Sequence, residues 1–194
     1  MQAQTIDAES SRRAMTVGAI PARAVVTALA GALIVLGSVG TWGRIGDSGQ
    51  GDPILRGTVG GLALAEGKLT LALGLLVIAA AAALLLRSAE WRRRVLPVVV
   101  LLASLAAGTI AAVDALRADE RFRAARMDQV ARNISDTTGF PFDPIRARLA
   151  SQTAGPAEVT LGGGMVLVLA GAALGAGTSA VRLAGWRKRS ARAG

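Results

Sequence analysis

Four long segments without a charged residue run through this chain, and all of its charged residues lie in the segments between and beside them. Each has about the length, roughly 20 residues, that a helix needs to cross the hydrocarbon core of a bilayer. The pattern predicts an all-α fold: a four-helix transmembrane bundle. The spans are expected at about 24–41, 69–86, 95–113 and 159–181.

The charged residues are distributed unequally between the two sides of these spans. Residues 1–23, 87–94 and 182–194 together carry twelve basic and three acidic residues, which is the whole net charge of +9. The segments 42–68 and 114–158 carry ten of each. Because short basic loops stay in the cytoplasm, we predict a multi-pass protein of a bacterial plasma membrane. Both termini are cytoplasmic, and the two neutral segments are outer loops.

These assignments predict one membrane domain over 24–184. A cytoplasmic segment, 1–23, precedes it and a basic cytoplasmic tail, 185–194, follows it. The alternative for the N-terminal part is a signal peptide with Ser38-Val39-Gly40 as its cleavage site. Because the apolar run exceeds the usual length of a signal core, we expect a retained first span.

The second outer loop is long enough to be structured. Asp114–Ile134 is rich in helix formers, with acids at 119 and 120 and arginines at 123 and 126 that can pair across one turn. We therefore expect helix three to continue past the membrane or to bend onto its surface.

Turn residues divide the rest of both loops. Ser135–Gly139 is expected to end the long helix. Asp143 is predicted as the N-cap of a short helix with Pro144 at its first position. In the glycine-rich first loop, Ile54–Val59 is predicted to pair with Leu62–Leu64 as a short hairpin.

Small residues recur at every fourth position in two spans, a spacing that lets helix backbones approach closely. Two interpretations stay open, packing inside one bundle and a seam between copies of a homo-oligomer. The residues are Ser104, Gly108 and Ala112 in span three, and Gly171, Gly175 and Ser179 in span four.

The six aromatic residues all lie outside the centres of the spans. Trp42, Trp91 and Trp186 are placed as interfacial anchors at span ends. The three phenylalanines, Phe122, Phe140 and Phe142, lie in the second outer loop. They either build a small outer core or form an exposed patch for a protein or lipid partner.

Within that loop, a candidate partner-binding patch is formed by Phe140-Pro141-Phe142, together with Phe122. Two phenylalanines that flank a proline present rigid apolar area at little conformational cost. Because the outer loops are electrically neutral, the partner is expected to be recognised by shape and apolar contact rather than by charge.

The composition argues against most catalytic and cofactor chemistry. The chain has no Cys, His or Tyr, so zinc, copper, haem and thiol redox sites are not expected. We predict no metal and no cofactor. The basic residues flank spans without interleaved aromatic residues, so nucleic acid is not an expected partner.

Two short motifs and one pair of aspartates resemble known functional sites. Gly46-Asp47-Ser48-Gly49 resembles a protease nucleophile, but no histidine is present to accept its proton. Gly61–Lys68 has the wrong spacing for a phosphate loop. Asp114 and Asp143 could form an aspartyl pair at the outer membrane surface, but they read more simply as a helix-end charge and an N-cap. We therefore expect no enzyme.

The order of features resembles small, mostly uncharacterised four-span membrane proteins of actinobacterial type. The residues that carry this resemblance are Gly37-Ser38-Val39-Gly40-Thr41-Trp42, Gly60-Gly61, Glu66-Gly67-Lys68-Leu69-Thr70-Leu71 and Gly162-Gly163-Gly164-Met165. It covers the spans and the first loop but not 114–158. Claudin-like proteins share the tryptophan in the first outer loop but have a cysteine pair that this chain lacks. The resemblance implies no activity.

The sequence therefore favours a non-enzymatic integral membrane protein. We expect an accessory or scaffold subunit of a cell-envelope membrane complex that acts through its outer loops. The alternative is a passive channel or carrier component that works as a homo-oligomer. The expected partners are the lipid bilayer and either another membrane protein or a second copy of this chain.

Overall fold

The computed structural model describes residues 22–46, 55–85, 90–153 and 158–190, with the backbone alone at 90–94 and 186–190. These residues form helices and a small sheet. The helices are α1 (Ala22–Val39), α2 (Ala65–Leu85), α3 (Glu90–Leu116), α4 (Ala118–Thr138), α5 (Phe142–Gln152) and α6 (Gly163–Ser190). The strands are β1 (Thr41–Ile45), β2 (Gly57–Gly60) and β3 (Val159–Leu161), and a 3₁₀ turn covers Gly61–Ala63.

Four of the helices, α1, α2, α3 and α6, are long and apolar enough to cross a membrane. They pack as a bundle in which α1 and α3 each contact both α2 and α6. Apolar side chains on the outward faces stay largely exposed, for example Leu102 at 60% and Val181 at 73%. Helices that are apolar on all sides suit a lipid environment. The predicted membrane helices and their bundle are confirmed.

Glycine sets the close approach of the bundle helices. A Cβ atom at Gly31 of α1 would lie 3.0 Å from the carbonyl oxygen of Gly74 in α2. A Cβ atom at Gly171 of α6 would lie 2.7 Å from the carbonyl oxygen of Ala30 in α1. Because these neighbours are backbone atoms that cannot rotate away, α1 can lie this close to both helices only while these positions lack a side chain.

A small three-stranded antiparallel sheet of order β2-β1-β3 adds to the helical fold that was predicted as all-α. β1 pairs with β2 through Ile45 and Gly57 and with β3 through Ile45 and Val159. The fourth span was therefore predicted to begin too early, because residues 159–161 form a strand and the helix begins at Gly163. Strand and helix are both apolar and uncharged here, so hydrophobicity alone could not separate them.

The predicted hairpin in the first loop is wrong in its pairing. Gly57–Gly60 pairs with β1 rather than with Leu62–Leu64, and the 3₁₀ turn occupies the position of the second predicted strand. Ile54 lies outside the described residues.

The loop after α3 contains the predicted helix pair with shifted boundaries. α3 ends at Leu116, and Arg117 breaks the helix with φ −112° and ψ 22° before α4 begins. α4 ends at Thr138 and is capped by Gly139, whose φ of +73° is the left-handed conformation that glycine adopts most easily. α5 begins at Phe142 with Pro141 as its N-cap, so the prediction that Asp143 is the N-cap is wrong. Pro141 and Pro144 lie at the N-cap and in the first turn of α5, where the helix does not need their backbone N–H groups.

Candidate functional site

The strands, α4 and α5 all lie at one end of the bundle, which we call the sheet end. Its core is built around two fully buried aromatic side chains, Trp42 of β1 and Phe122 of α4. The smaller members of this core come from the sheet, from the residue after the 3₁₀ turn, from α3 and α4 and from the start of α6: Val59, Leu64, Ala111, Ala118, Met165 and Val168. The core therefore fixes α4 to the sheet and to the bundle.

Trp42 is not an interfacial anchor, because its side chain is 0% exposed. Its indole N–H donates a hydrogen bond of 2.8 Å to the carbonyl oxygen of Gly37. A Cβ atom at Gly61 would lie 2.4 Å from the indole nitrogen, so the ring lies directly against this backbone. The side chains of Trp91 and Trp186 lie outside the described residues.

The prediction that Phe122 binds a partner is also wrong, because its ring is 0% exposed. The ring covers Gly43 of β1, where a Cβ atom would lie 2.2 Å from the Phe122 Cδ2 atom. Phe122 therefore belongs to the core, as the other interpretation of the phenylalanines held. Arg126, one turn further along α4, donates a hydrogen bond of 2.8 Å to the carbonyl oxygen of Arg56 just before β2.

Residues that carried the sequence resemblance meet at the junction of the bundle and the sheet. The Ser38 hydroxyl lies 2.9 Å from the Thr70 hydroxyl oxygen, and Thr70 donates to the carbonyl oxygen of Gly67. A Cβ atom at Gly67 would lie 1.9 Å from the carbonyl oxygen of Gly61. These residues are therefore required for the packing of α1, α2 and the 3₁₀ turn, which accounts for them without a ligand.

Three charged residues form a cluster at the sheet end that the sequence did not predict. Arg121 of α4 binds Glu66 in the first turn of α2 and lies 2.5 Å from Asp114 Oδ1 near the end of α3. The Asp114 side chain is 1% exposed, and its Oδ2 atom is buried without a hydrogen-bond partner. One guanidinium thus faces two carboxylates, and the cluster joins three helices.

The spacing of two of these residues was a usable signal. Asp114 and Arg121 are seven residues apart, a spacing that places two residues on one face of a continuous helix, although Arg117 breaks the helix between them. The contribution of Glu66, 55 residues away from Arg121 along the chain, had no local signal. Asp143, the other candidate for an aspartyl pair, is exposed in the first turn of α5, whereas Asp114 is buried against Arg121.

No group of His, Cys, Asp or Glu in the described part of the chain is large enough to hold a metal ion. The charged cluster contains two carboxylates and a cation, so its arrangement favours a structural ion pair over a ligand set.

The turn between α4 and α5, residues 139–141, and the first residue of α5, Phe142, form a hydrogen-bonded and largely exposed tip. The Gly139 N–H donates to the Ser135 carbonyl oxygen at 2.8 Å, and the Ser135 hydroxyl donates to the Phe140 carbonyl oxygen at 2.7 Å. Phe140 is 66% exposed and Pro141 is exposed, whereas Phe142 is half-buried. The Arg132 guanidinium carbon lies 6.0 Å from the centre of the Phe142 ring, near the limit for a cation–π contact.

Most of the predicted small-residue positions lie between helices of the same chain. Gly171 faces α1, and a Cβ atom at Gly175 would lie 2.3 Å from the Ser104 Oγ atom of α3. Ser179 is 5% exposed, and a Cβ atom at Gly108 would lie 3.1 Å from the Ala172 Cβ atom. Ala112 is the exception. It is exposed, because the buried face of α3 follows Ala103, Ala107 and Ala111 instead.

Comparison with models of known protein families, with curated proteins and with solved structures gives no significant match. Any function must therefore be argued from the geometry of the chain itself.

Proposed function

We propose that this protein is a non-enzymatic accessory or scaffold subunit of a membrane complex in the bacterial cell envelope. Its sheet end faces the outside and binds a partner through the tip between α4 and α5. The observation that carries the proposal is the exposure of Phe140, at 66%, on a turn that is held by backbone and side-chain hydrogen bonds.

An ordered apolar tip is a favourable binding surface for a physical reason. A phenylalanine already fixed by its turn loses little conformational freedom on binding, so more of the contact free energy remains as affinity. Aromatic residues, phenylalanine among them, are also enriched in the buried centres of protein interfaces. Phe142 offers less of its own ring than Phe140 does, because it is half-buried beside Arg132.

The attachment of the tip to the bundle supports a scaffold role. α5 packs along α4 through buried Leu149, and the Thr153 hydroxyl lies 3.5 Å from the Met127 sulfur. α4 in turn contacts all three strands and is held by Phe122 in the core. A partner bound at the tip is therefore positioned relative to the bundle and not on a separate domain.

The competing hypothesis is a passive channel or carrier that works as a homo-oligomer. In the sequence, this hypothesis is supported by the small-residue pattern. In the structure, however, Gly171 and Gly175 pack against α1 and α3 of the same chain. The bundle interior is filled by closely packed residues such as Ala30, Ala107 and Val77. These observations favour the accessory subunit.

The test is site-specific photo-crosslinking in the native membrane. A photoreactive amino acid at position 140 is expected to give one crosslinked product of fixed stoichiometry, and the same substitution at Leu161, which is 49% exposed on β3, is the control. Phe140→Ser should abolish copurification of that product's partner while leaving the melting temperature unchanged. Equal crosslinking from both positions, or undiminished copurification of Phe140→Ser, would refute the tip as the binding surface.

The proposed orientation has its own test. Reporter fusions after residue 90 and after residue 194 should report a cytoplasmic location, and fusions near residues 50 and 135 an external one. An external C-terminus would mean that the sheet end faces the cytoplasm, where it could not contact a partner outside the membrane.

A further inference from the structure

Three exposed leucines lie where the membrane helices meet the sheet end. Leu116, the last residue of α3, is 88% exposed. Leu62 lies in the 3₁₀ turn before α2, and Leu161 is the last residue of β3, just before α6. We call these three residues the leucine collar. A single exposed leucine needs no explanation, but three at the ends of three different candidate spans mark a common level.

On α3, the leucine collar continues the outward face of the span. The exposed residues of this face recur at every third or fourth position, which places them on one side of the helix. They are Val98, Leu102, Leu105, Thr109, Val113 and Leu116. The whole face lies within one candidate membrane span, Val95–Leu116. Leu116 therefore contacts the same surroundings as the rest of the span.

The 3₁₀ turn that contains Leu62 lies beside two spans rather than beyond them. A Cβ atom at Gly61 would collide with the carbonyl oxygen of Ser38, and one at Gly67 would collide with that of Gly61. Ser38 belongs to the candidate span of α1 and Gly67 to that of α2. The exposed side chain of Leu62 is therefore level with the last turn of α1 and the first turn of α2.

Leu161 is fixed at the start of α6 by the sheet. The N–H of the next residue, Gly162, donates to the carbonyl oxygen of Trp42 at 2.8 Å. An open cavity of about 440 Å³ lies beside Leu161, and polar side chains contribute to its lining: Thr41, Arg44 and Thr160. Apolar and polar groups thus lie side by side, as they do where the acyl chains of a bilayer meet its headgroups.

A basic side chain lies at the level of the leucine collar. Lys68 is exposed in the first turn of α2, next to Gly67, which contacts the 3₁₀ turn. A lysine near a span end extends its ammonium group to the lipid phosphates while its methylene groups stay among apolar chains. Exposed leucine and exposed lysine at one level match the interfacial layer of a bilayer.

We propose that the leucine collar is embedded in the lipid leaflet on the sheet side, so that the base of the sheet end lies in the interfacial layer. The occupant of this surface is phospholipid. The acyl segments nearest the glycerol contact the three leucines, and Lys68 reaches a phosphate. The continuity of Leu116 with the outward face of α3 carries the assignment to lipid. The inference holds for either orientation of the protein and does not depend on a partner at the tip.

The experiment places a fluorescent probe at single cysteines, which is possible because the chain contains no Cys. Leu62→Cys, Leu116→Cys and Leu161→Cys are each labelled with bimane in the full-length protein. The replaced side chains are exposed, so the variants should keep the fold. Each is reconstituted at a low protein-to-lipid ratio into phosphatidylcholine vesicles whose lipids carry quenching bromine atoms, either near the carbonyl end of the acyl chains or near the chain terminus.

Probes in the leucine collar should be quenched at least about twofold more by the shallow bromines than by the deep ones, because half of a hydrocarbon core of about 30 Å separates the interface from the bilayer centre. Leu102→Cys, at the middle of the outward face of α3, is the control for depth and should show the reverse preference. Ala147→Cys, exposed on α5, which packs along α4, is the control for water. It should be quenched by iodide in the buffer and by neither lipid.

Two results would overturn the proposal. If iodide reached Leu62→Cys or Leu161→Cys as readily as Ala147→Cys, the base of the sheet end would lie in water. If neither iodide nor the brominated lipids reached these two positions, protein rather than lipid would cover them, and a second copy of the chain would be the occupant.

Discussion

The bundle and the sheet end are held together by opposite kinds of side chain. In the bundle, the closest contacts involve glycine against backbone, as between Gly171 and Ala30. At the sheet end, the contacts come from large aromatic rings, Trp42 and Phe122, and from a charged cluster around Arg121. Each region therefore has its own sensitive substitutions.

The difference follows from what surrounds each region. Lipid tails are as apolar as the side chains they touch, so burial of apolar area gives little drive for helix association and close packing must supply it. Removal of a large ring from water is favourable by about 1.5–3 kcal/mol. The close backbone packing of the bundle thus fits four helices that are apolar enough to span a membrane.

The largest expected effect is the loss of the ring at the sheet end. Phe122→Ala should lower the free energy of unfolding by about 3–5 kcal/mol, because it leaves a cavity over Gly43. Phe140→Ala is the matched control, because the ring there is exposed and its loss should change stability by less than about 0.5 kcal/mol. Denaturation in detergent micelles measures both. Equal losses would mean that the two phenylalanines do not differ in burial.

The charged cluster should come next. Arg121→Gln leaves the buried carboxylate of Asp114 without its cation and should cost about 2–3 kcal/mol, below the full range for a broken buried pair because Arg121 is partly exposed. Arg117→Gln removes the same charge from an exposed residue and should be nearly neutral. A small effect of Arg121→Gln would indicate that water reaches Asp114 and that the cluster does not join the three helices.

An added methyl group should have opposite effects on stability at two glycines of α6. Gly171→Ala should destabilise by about 1–3 kcal/mol, because the added Cβ atom meets the backbone of α1. Gly177→Ala should stabilise by up to about 1 kcal/mol, because nothing lies within 4 Å of its Cβ position and alanine favours a helix. The same detergent unfolding assay gives both signs. Destabilisation by both changes would point to a contact of Gly177 outside this chain.

The membrane helices could be predicted from the sequence because lipid imposes a strong local constraint. A span must lack charge over about 20 residues, and this condition can be read without knowing any contact. The absence of charge gave a wrong start for span four, because Val159–Leu161 is as apolar as a helix but forms a strand. It also gave too early an end for span three, because Asp114 is charged but lies within a helix that continues to Leu116.

The core of the sheet end could not be predicted because its contacts are distant in sequence. Gly43 and Phe122 lie on elements separated by two spans, and Glu66 and Arg121 are 55 residues apart. Composition suggested that the phenylalanines could form a core, but no local pattern distinguished Phe122, which is buried, from Phe140, which is exposed. Phe122 lies within α4 and Phe140 lies in the turn that follows it. Whether each ring is buried depends on how these elements pack in the tertiary fold.

The smallest expected effect comes from an ion pair on α4 whose acid is exposed, and its salt dependence sharpens the contrast with the cluster around buried Asp114. Arg123 Nε lies 3.5 Å from Asp119 Oδ1 one turn away, and the side chains are 19% and 64% exposed, respectively. Asp119→Asn should cost only about 0.3–0.5 kcal/mol, and 1 M NaCl should remove most of this cost because exposed charges are screened over about 3 Å. The cost of Arg121→Gln should persist in salt.

Asp136→Asn, in the last turn of α4, is the control: an acid there opposes the helix dipole, so its removal should be neutral or slightly stabilising. If Asp119→Asn and Arg121→Gln lost their effects in parallel as salt increased, the cluster around Arg121 would be as accessible to water as the surface pair.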